Sequence, residues 1–189
     1  RTHMLDTARE LEKFGHTVRF YSYVPTSRAI KFGLKKECSY SLYYWALPFL
    51  MIFRIFGFKV WTQHFYSIVF DVFTAYYMKP CEVFIGQSPM HVYCLKYAKR
   101  KYNAITILER GTSHVLDFID NIKDNPALKN KPLFKKVHIL RDLSGYKFAD
   151  YISVGSNHVL KSFIENGVSE KKIFVNNYGF DPNQFRPTT

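Results

Sequence analysis

A short segment in the middle of the chain brings together side chains that can bind and react. Its residues are, in order, Glu109, Arg110, Gly111, Thr112, Ser113 and His114. The guanidinium of Arg110 could grip a phosphate or a carboxylate, and Glu109 or His114 could orient hydroxyl groups or take a proton. Gly111 lets a backbone approach closely, and the N-terminus of a following helix favours anions. Alternatively, Thr112 or Ser113 only caps that helix and Glu109 pairs with Arg110.

Further polar residues near other segment ends are candidates for the same site. Gln87, Ser88 and His91 follow a short apolar run and could hydrogen-bond a ligand, although such residues are common in loops. The remaining candidates are His3 near the start of the chain and Asn177, Tyr178 and Gly179 near its end. No Asp-x-Asp pair stands beside a predicted strand end, so nothing indicates a metal-bound diphosphate.

Helical and strand patterns alternate over most of the chain. The predicted strands are 17–23, 82–86, 104–109, 150–155 and 172–176. The predicted helices include one that ends at Gly15, one over 63–78, one that ends at Tyr102, one over 133–148, and one that begins at the cap Ser156 and ends at Gly167. Prolines at 126 and 132 mark a surface loop. This order predicts an α/β fold, a Rossmann-like parallel sheet with helices on both faces. Ligands bind at the carboxyl ends of such strands, so the loops after 86, 109 and 155 should hold the site.

Composition limits the class of protein. With 189 residues, 47% of them hydrophobic, the chain suits a single domain over 1–189. The net charge of +12 is concentrated in basic clusters around residues 28–36, 96–101 and 129–136. These clusters favour anionic partners, or they are solvated helix faces. The three cysteines form no C-x-x-C pair, which fits a reducing cytoplasm.

Residues 42–58 form an unusually apolar run. It holds one charge, Arg54, and is interrupted by Pro48. The run is too short and too broken to span a membrane. It could lie in a membrane interface, with Trp45 and the preceding tyrosines as anchors. We favour the other interpretation, a helix pair packed on the sheet.

Motifs in the second half of the chain follow a recognisable order. They are Ala149-Asp150 at a strand start, Ser156 at a helix start, Gly167-Val168 at its end, the strand from Lys172 to Val175, the run from Asn177 to Asp181, and Phe185-Arg186-Pro187. Taken in this order, and leaving out residues 28–80, the motifs resemble the glycosyltransferase family four proteins. Near the start, Gly15-His16-Thr17-Val18 also resembles that family's entry into its second strand.

The resemblance implies a GT-B fold, in which two Rossmann-like domains face each other across a cleft. This chain would be the N-terminal, acceptor-side domain, without the family's first strand and glycine-rich loop. The sugar-nucleotide donor would bind the C-terminal domain, which we expect to be absent after Thr189, so the fragment alone should be inactive. The family's chemistry is metal-independent and usually retaining, and it serves cell-envelope polysaccharides among others.

The resemblance also suggests partners and roles. The 109–114 loop, Gln87, Ser88, His91 and His3 would face a sugar or lipid-linked sugar acceptor, and 177–179 would border the hinge of the cleft. We expect a cytoplasmic protein that could be peripheral on the inner face of an anionic membrane.

Two other functions compete with this one. A non-catalytic Rossmann-like module that binds an anionic or phosphorylated ligand stays open, although no G-x-G-x-x-G fingerprint is present. Nucleic-acid binding is not expected, because the chain has neither an RNP-type strand nor a helix-turn-helix signature.

Overall fold

The computed structural model describes residues 3–57, 60–123 and 136–179. The chain divides into two compact units, an N-terminal unit of residues 1–66 and a C-terminal unit of residues 67–189. These units are groups of mutual contacts, and the expectation of one domain over residues 1–189 stays a prediction. The predicted surface loop at 125–132, the basic residues 129–135 and the motif residues from 180 onward lie outside the described ranges.

The N-terminal unit is built from short elements around a small core. Its elements are α1 (His3–Lys13), β1 (Phe20–Ser22), α2 (Thr26–Lys31), a 3₁₀ turn (Lys36–Cys38), β2 (Ser39–Ser41), α3 (Tyr43–Phe56) and the start of α4 (Val60–Tyr77). β1 and β2 pair in parallel as a two-stranded sheet. Leu5, Ala8, Ala29, Leu34 and Cys38 form the core beneath them.

The C-terminal unit holds the larger sheet. Its elements after α4 are β3 (Val83–Gln87), α5 (Val92–Tyr102), β4 (Ile105–Arg110), α6 (Val115–Lys123), α7 (Lys136–Phe148), β5 (Tyr151–Val154), α8 (Asn157–Glu165), a 3₁₀ turn (Glu170–Lys172) and β6 (Ile173–Val175). The four strands lie in the order β3-β4-β5-β6, and every neighbouring pair is parallel. Helices cover the faces of a parallel sheet, which is why β4 and β5 are mostly buried after their exposed first residues.

The core of this unit lies between the sheet and its helices. Leu108 and Ile152 on the strands meet Tyr146 of α7 and Phe163 of α8. Gly145 lets α7 approach the sheet closely, since an added Cβ there would lie 3.0 Å from the Leu108 side chain. The site described below therefore rests on a packed sheet.

The prediction of an α/β fold is confirmed. The segments near residues 82, 104, 150 and 172 lie side by side as parallel strands, with helices between them. The predicted cap is also confirmed, because the Ser156 hydroxyl accepts a hydrogen bond from the Val159 N–H. The strand predicted at 17–23 forms only at 20–22. It pairs with β2 in the small sheet, and the sequence pattern of residues 28–80 does not reveal β2.

Within the apolar run at 42–58, residues Tyr43–Phe56 form α3, with Pro48 inside the helix. Residue 58 lies outside the described ranges. α4 follows it, so this part of the chain is a pair of helices. Whether the pair packs on the sheet stays a prediction. Among the residues that the structure describes, none of the helices combines the length and hydropathy needed to cross a bilayer.

Candidate functional site

The predicted loops meet at one edge of the larger sheet. Gln87 is opposite Glu109 at the ends of β3 and β4, and Arg110 is opposite Val154 on β5. The Ser88 N–H donates to the Glu109 carbonyl at 3.0 Å, which ties the two exit loops together. The carboxyl ends of β3 and β4, beside that of β5, therefore bring Ser88, Glu109 and Arg110 into one place.

A buried polar cluster lies directly behind this edge. Arg110 donates from Nη1 to Oδ1 of Asp142 on α7 at 2.7 Å, and these side chains are 7% and 0% exposed. The Ser88 hydroxyl donates to the same carboxylate oxygen. We call these three residues the Arg110–Asp142 cluster. It joins the β3 loop, the end of β4 and the middle of α7.

Burial sets the electrostatics of the cluster. Desolvation raises the pKa of the Asp142 carboxyl, while the charge of Arg110 opposes the rise. Burial also raises the pKa of the neighbouring Tyr146 hydroxyl. Nε of Arg110 and Oδ2 of Asp142 are buried and have no hydrogen-bond partner among the described residues. The arrangement positions Arg110 from inside the unit, so the bidentate grip on an external anion is not the contact seen here.

Tyr178 lies over the same strand edge. A Cβ added to Gly111 would lie 2.6 Å from the Tyr178 hydroxyl oxygen, and one added to Gly155 would lie 2.8 Å from its ring. The Tyr178 hydroxyl is hydrogen-bonded to the Glu109 carboxylate, and burial followed by the charge of Glu109 raises its pKa. The two glycines thus make room for an aromatic ring that is still 49% exposed.

His114 faces the interior of the unit. Its ring lies 5.0 Å from that of Tyr146 and 5.1 Å from that of Phe163, centroid to centroid. Its Nδ1 accepts a hydrogen bond from the Leu116 N–H at 3.4 Å, in the first turn of α6. Burial lowers the pKa of the imidazole. This geometry gives His114 the capping role that the sequence offered to Thr112 or Ser113.

The loop after β3 is held by contacts of its own. The His91 Nδ1 accepts from the Gln87 N–H at 3.0 Å, and burial lowers the pKa of this imidazole. Arg141 of α7 donates to the carbonyls of Pro89 and Met90 and forms an ion pair with Asp71 at 2.7 Å. His91 therefore fixes the loop, while Gln87 and Ser88 stand at the strand edge.

The other predicted residues have simpler positions. Thr112 is exposed and Ser113 half-buried in the turn between β4 and α6. Asn177 and Gly179 are exposed on either side of Tyr178. His3 begins α1 in the N-terminal unit, apart in sequence from the residues gathered at the strand edge.

Sequence reasoning missed Asp142. The alternative pairing of Glu109 with Arg110 also differs from the structure, in which the ion pair of Arg110 is with Asp142. A signal was present, because His138, Asp142 and Tyr146 recur every four residues and so share one face of α7. A polar stripe on a helix that packs against a sheet indicates a buried network.

The strand edge offers the half-exposed Tyr178 ring and the Gln87 amide at the end of β3, and the Glu109 carboxylate beside Tyr178 is 7% exposed. This edge is the place where α/β sheets bind ligands. No protein-family model and no curated protein matches the chain.

Proposed function

We propose that the chain is the acceptor-binding domain of a sugar-nucleotide-dependent, retaining glycosyltransferase. The observation that supports it best is the Tyr178 ring, which lies over Gly111 and Gly155 beside the Glu109 carboxylate. A sugar presents C–H groups on the faces of its ring and hydroxyls around it. An exposed aromatic face next to a carboxylate complements both features.

The roles in this proposal follow from the contacts. Tyr178 supplies the stacking surface and Gln87 orients acceptor hydroxyls. Glu109 is only 7% exposed, so it acts mainly through the Tyr178 hydroxyl beside it. The Arg110–Asp142 cluster positions the Glu109 turn, because Ser88 and Arg110 are both anchored on one Asp142 oxygen. The donor nucleotide would bind a second domain, as the family resemblance implies. The described residues include no group of three His, Cys, Asp or Glu side chains arranged to hold a metal ion.

The test is to measure by NMR whether the 189-residue chain binds neutral sugars and glycosyl lipids. Shifts should concentrate at Gln87, Glu109 and Tyr178. Tyr178→Ala should weaken binding roughly five- to tenfold. Tyr151→Ala is the matched control, since Tyr151 is an exposed tyrosine at the opposite end of β5. Binding unaffected by Tyr178→Ala, or shifts confined to other surfaces, would overturn the proposal.

The second candidate is a non-catalytic module that binds an anionic or phosphorylated ligand. It would need an available cation at the 109–114 turn, and the guanidinium there is 7% exposed and paired with Asp142. Phosphate binding centred on Arg110, without any response to neutral sugars, would favour this candidate.

A lipid-linked acceptor would place the protein at the cytoplasmic face of a membrane. This part of the proposal is supported by α3, on which Tyr44, Trp45, Met51 and Ile55 are exposed and the only charge is Arg54. Aromatic and aliphatic side chains beside a cation suit a membrane interface. The double variant Trp45→Ser with Ile55→Ser should reduce flotation with anionic vesicles. The control, Val137→Ser with Leu140→Ser at two exposed positions of α7, should leave flotation unchanged.

A further inference from the structure

The outer face of α5 carries a shallow, open and basic groove between its own side chains, separate from the strand edge. Tyr93, Lys96, Tyr97, Arg100 and Lys101 line it, and its volume is about 260 Å³. α5 contains no acidic residue. None of the five lining residues belongs to the candidate acceptor site. We call this feature the α5 groove.

Aromatic groups rather than carboxylates hold the cations of the α5 groove. Lys101 donates to the Tyr97 hydroxyl at 2.6 Å, and this hydrogen bond lowers the pKa of Tyr97. Lys96 lies 4.0 Å above the ring of Phe148. Lys99, which does not line the groove, instead forms an ion pair with Asp150. The groove therefore keeps a positive charge that its lining residues do not neutralise.

Two tyrosines form the aromatic part of the groove. The rings of Tyr93 and Tyr97 lie 6.4 Å apart at an interplanar angle of 29°, and Tyr93 is 48% exposed. Their hydroxyls can donate to anionic oxygens, and their faces can cover the group that carries the anion. Arg100 adds a planar donor fork suited to phosphate.

We propose that the α5 groove binds a phosphate group, carried either by a soluble phosphate ester or by a phospholipid headgroup. Three cations and two tyrosine hydroxyls match the charge and the several acceptor oxygens of a phosphate. The groove covers a single helix face, whereas single-stranded nucleic acid is held by grooves that follow several nucleotides. Its size thus favours one phosphate group over a polynucleotide.

The experiment uses the full chain at low ionic strength with two probes. Inorganic pyrophosphate, titrated by NMR, tests the soluble source. Phosphatidylglycerol vesicles, compared with phosphatidylcholine vesicles by flotation, test the lipid source. A groove variant combines Lys96→Gln, Arg100→Gln and Lys101→Gln. The control variant combines Lys123→Gln, Lys161→Gln and Lys171→Gln, exposed lysines outside the groove that give the same change of net charge.

Binding of at least one probe should weaken about tenfold or more in the groove variant and less than about twofold in the control. Tyr97→Phe should weaken it less than the charge changes do, because the ring remains. A pyrophosphate response together with equal flotation on both kinds of vesicle identifies the soluble source. Stronger flotation on phosphatidylglycerol vesicles without a pyrophosphate response identifies the headgroup. No response to either probe, or equal losses in the two triple variants, overturns the proposal. So does tight binding of a single-stranded oligonucleotide alone. Sugar binding at Tyr178 is measured independently, so either proposal can fail without the other.

Discussion

The guanidinium of Arg110 donates to the Asp142 carboxylate at 2.7 Å, and both side chains are almost fully buried. The pair joins the end of β4 to the middle of α7. Because the Ser88 hydroxyl uses the same carboxylate, one helical residue anchors two of the loops at the strand edge. The shape of the candidate site therefore depends on a residue that does not face the ligand.

Removal of the Asp142 carboxylate should destabilise the protein strongly. In Asp142→Leu the Arg110 charge stays buried without a partner, a change that costs about 3–5 kcal/mol. Asp120→Leu is the control: Asp120 pairs with Lys123 but is 71% exposed, and exposed pairs contribute about 0.2–1 kcal/mol. Urea unfolding gives both values. The double variant Arg110→Met with Asp142→Leu should recover much of the loss, and equal losses at the two aspartates would contradict this account.

The close approach of Tyr178 to Gly155 can be tested by a double-mutant cycle. Gly155→Ala places a methyl group 2.8 Å from the Tyr178 ring, so the ring or the loop must move. We expect a loss of about 1 kcal/mol, at the low end of the cost of overpacking, because the half-exposed Tyr178 ring can shift. In a Tyr178→Ala background the same change should cost within about 0.5 kcal/mol, because the clash is gone. Additive losses across the cycle would mean that the two residues do not touch.

His114 should make the stability of the protein depend on pH. Burial lowers its pKa in the folded state, so the unfolded chain binds the proton more readily. The stabilising contribution is complete above the unfolded value of about 6.5 and is lost as the pH falls through the lowered folded value. His91 contributes in the same direction.

The measurement is urea unfolding between about pH 7.5 and about pH 5. His114→Asn, which keeps an acceptor for the Leu116 N–H, should reduce the slope of stability against pH. His158→Asn, at an exposed position of α8, is the matched control and should leave the slope unchanged. An identical slope in the wild type and His114→Asn would refute the buried, neutral imidazole.

The cysteines should differ in their reaction with alkylating reagents. All three lie among the described residues, and they form no disulfide. Burial raises the pKa of both Cys38 and Cys94, and only the thiolate reacts. Cys81 is partly exposed, so it should be modified first in the folded chain. Mass spectrometry after iodoacetamide treatment checks the order, and Cys81→Ser should remove the fast phase. Early labelling of Cys94 would contradict its full burial, in which its thiol donates to the Asp71 carbonyl.

The sequence by itself determined the α/β class and the sheet edge at which the candidate residues lie. Strands in parallel sheets are short, apolar and separated by helices, so 104–109 and 150–155 could be recognised from local pattern alone. Parallel pairing then requires their carboxyl ends to share one edge, so the sequence alone predicts that Gln87, Glu109 and Arg110 lie together. The Ser156 cap was equally local, because its partner N–H lies three residues away.

Only the tertiary structure decided the partners of these residues. Asp142 lies 32 residues from Arg110 in the chain, and no local pattern specifies which helix face meets which strand end. Tyr178 reaches Gly111 and Gly155 for the same reason, since contacts across a sheet edge depend on how β6 and its exit loop are placed. Burial, which moves the pKa values of Asp142 and His114, also arises only when the helices pack. Local spacing thus fixes the elements, while long-range packing fixes charge, burial and contact.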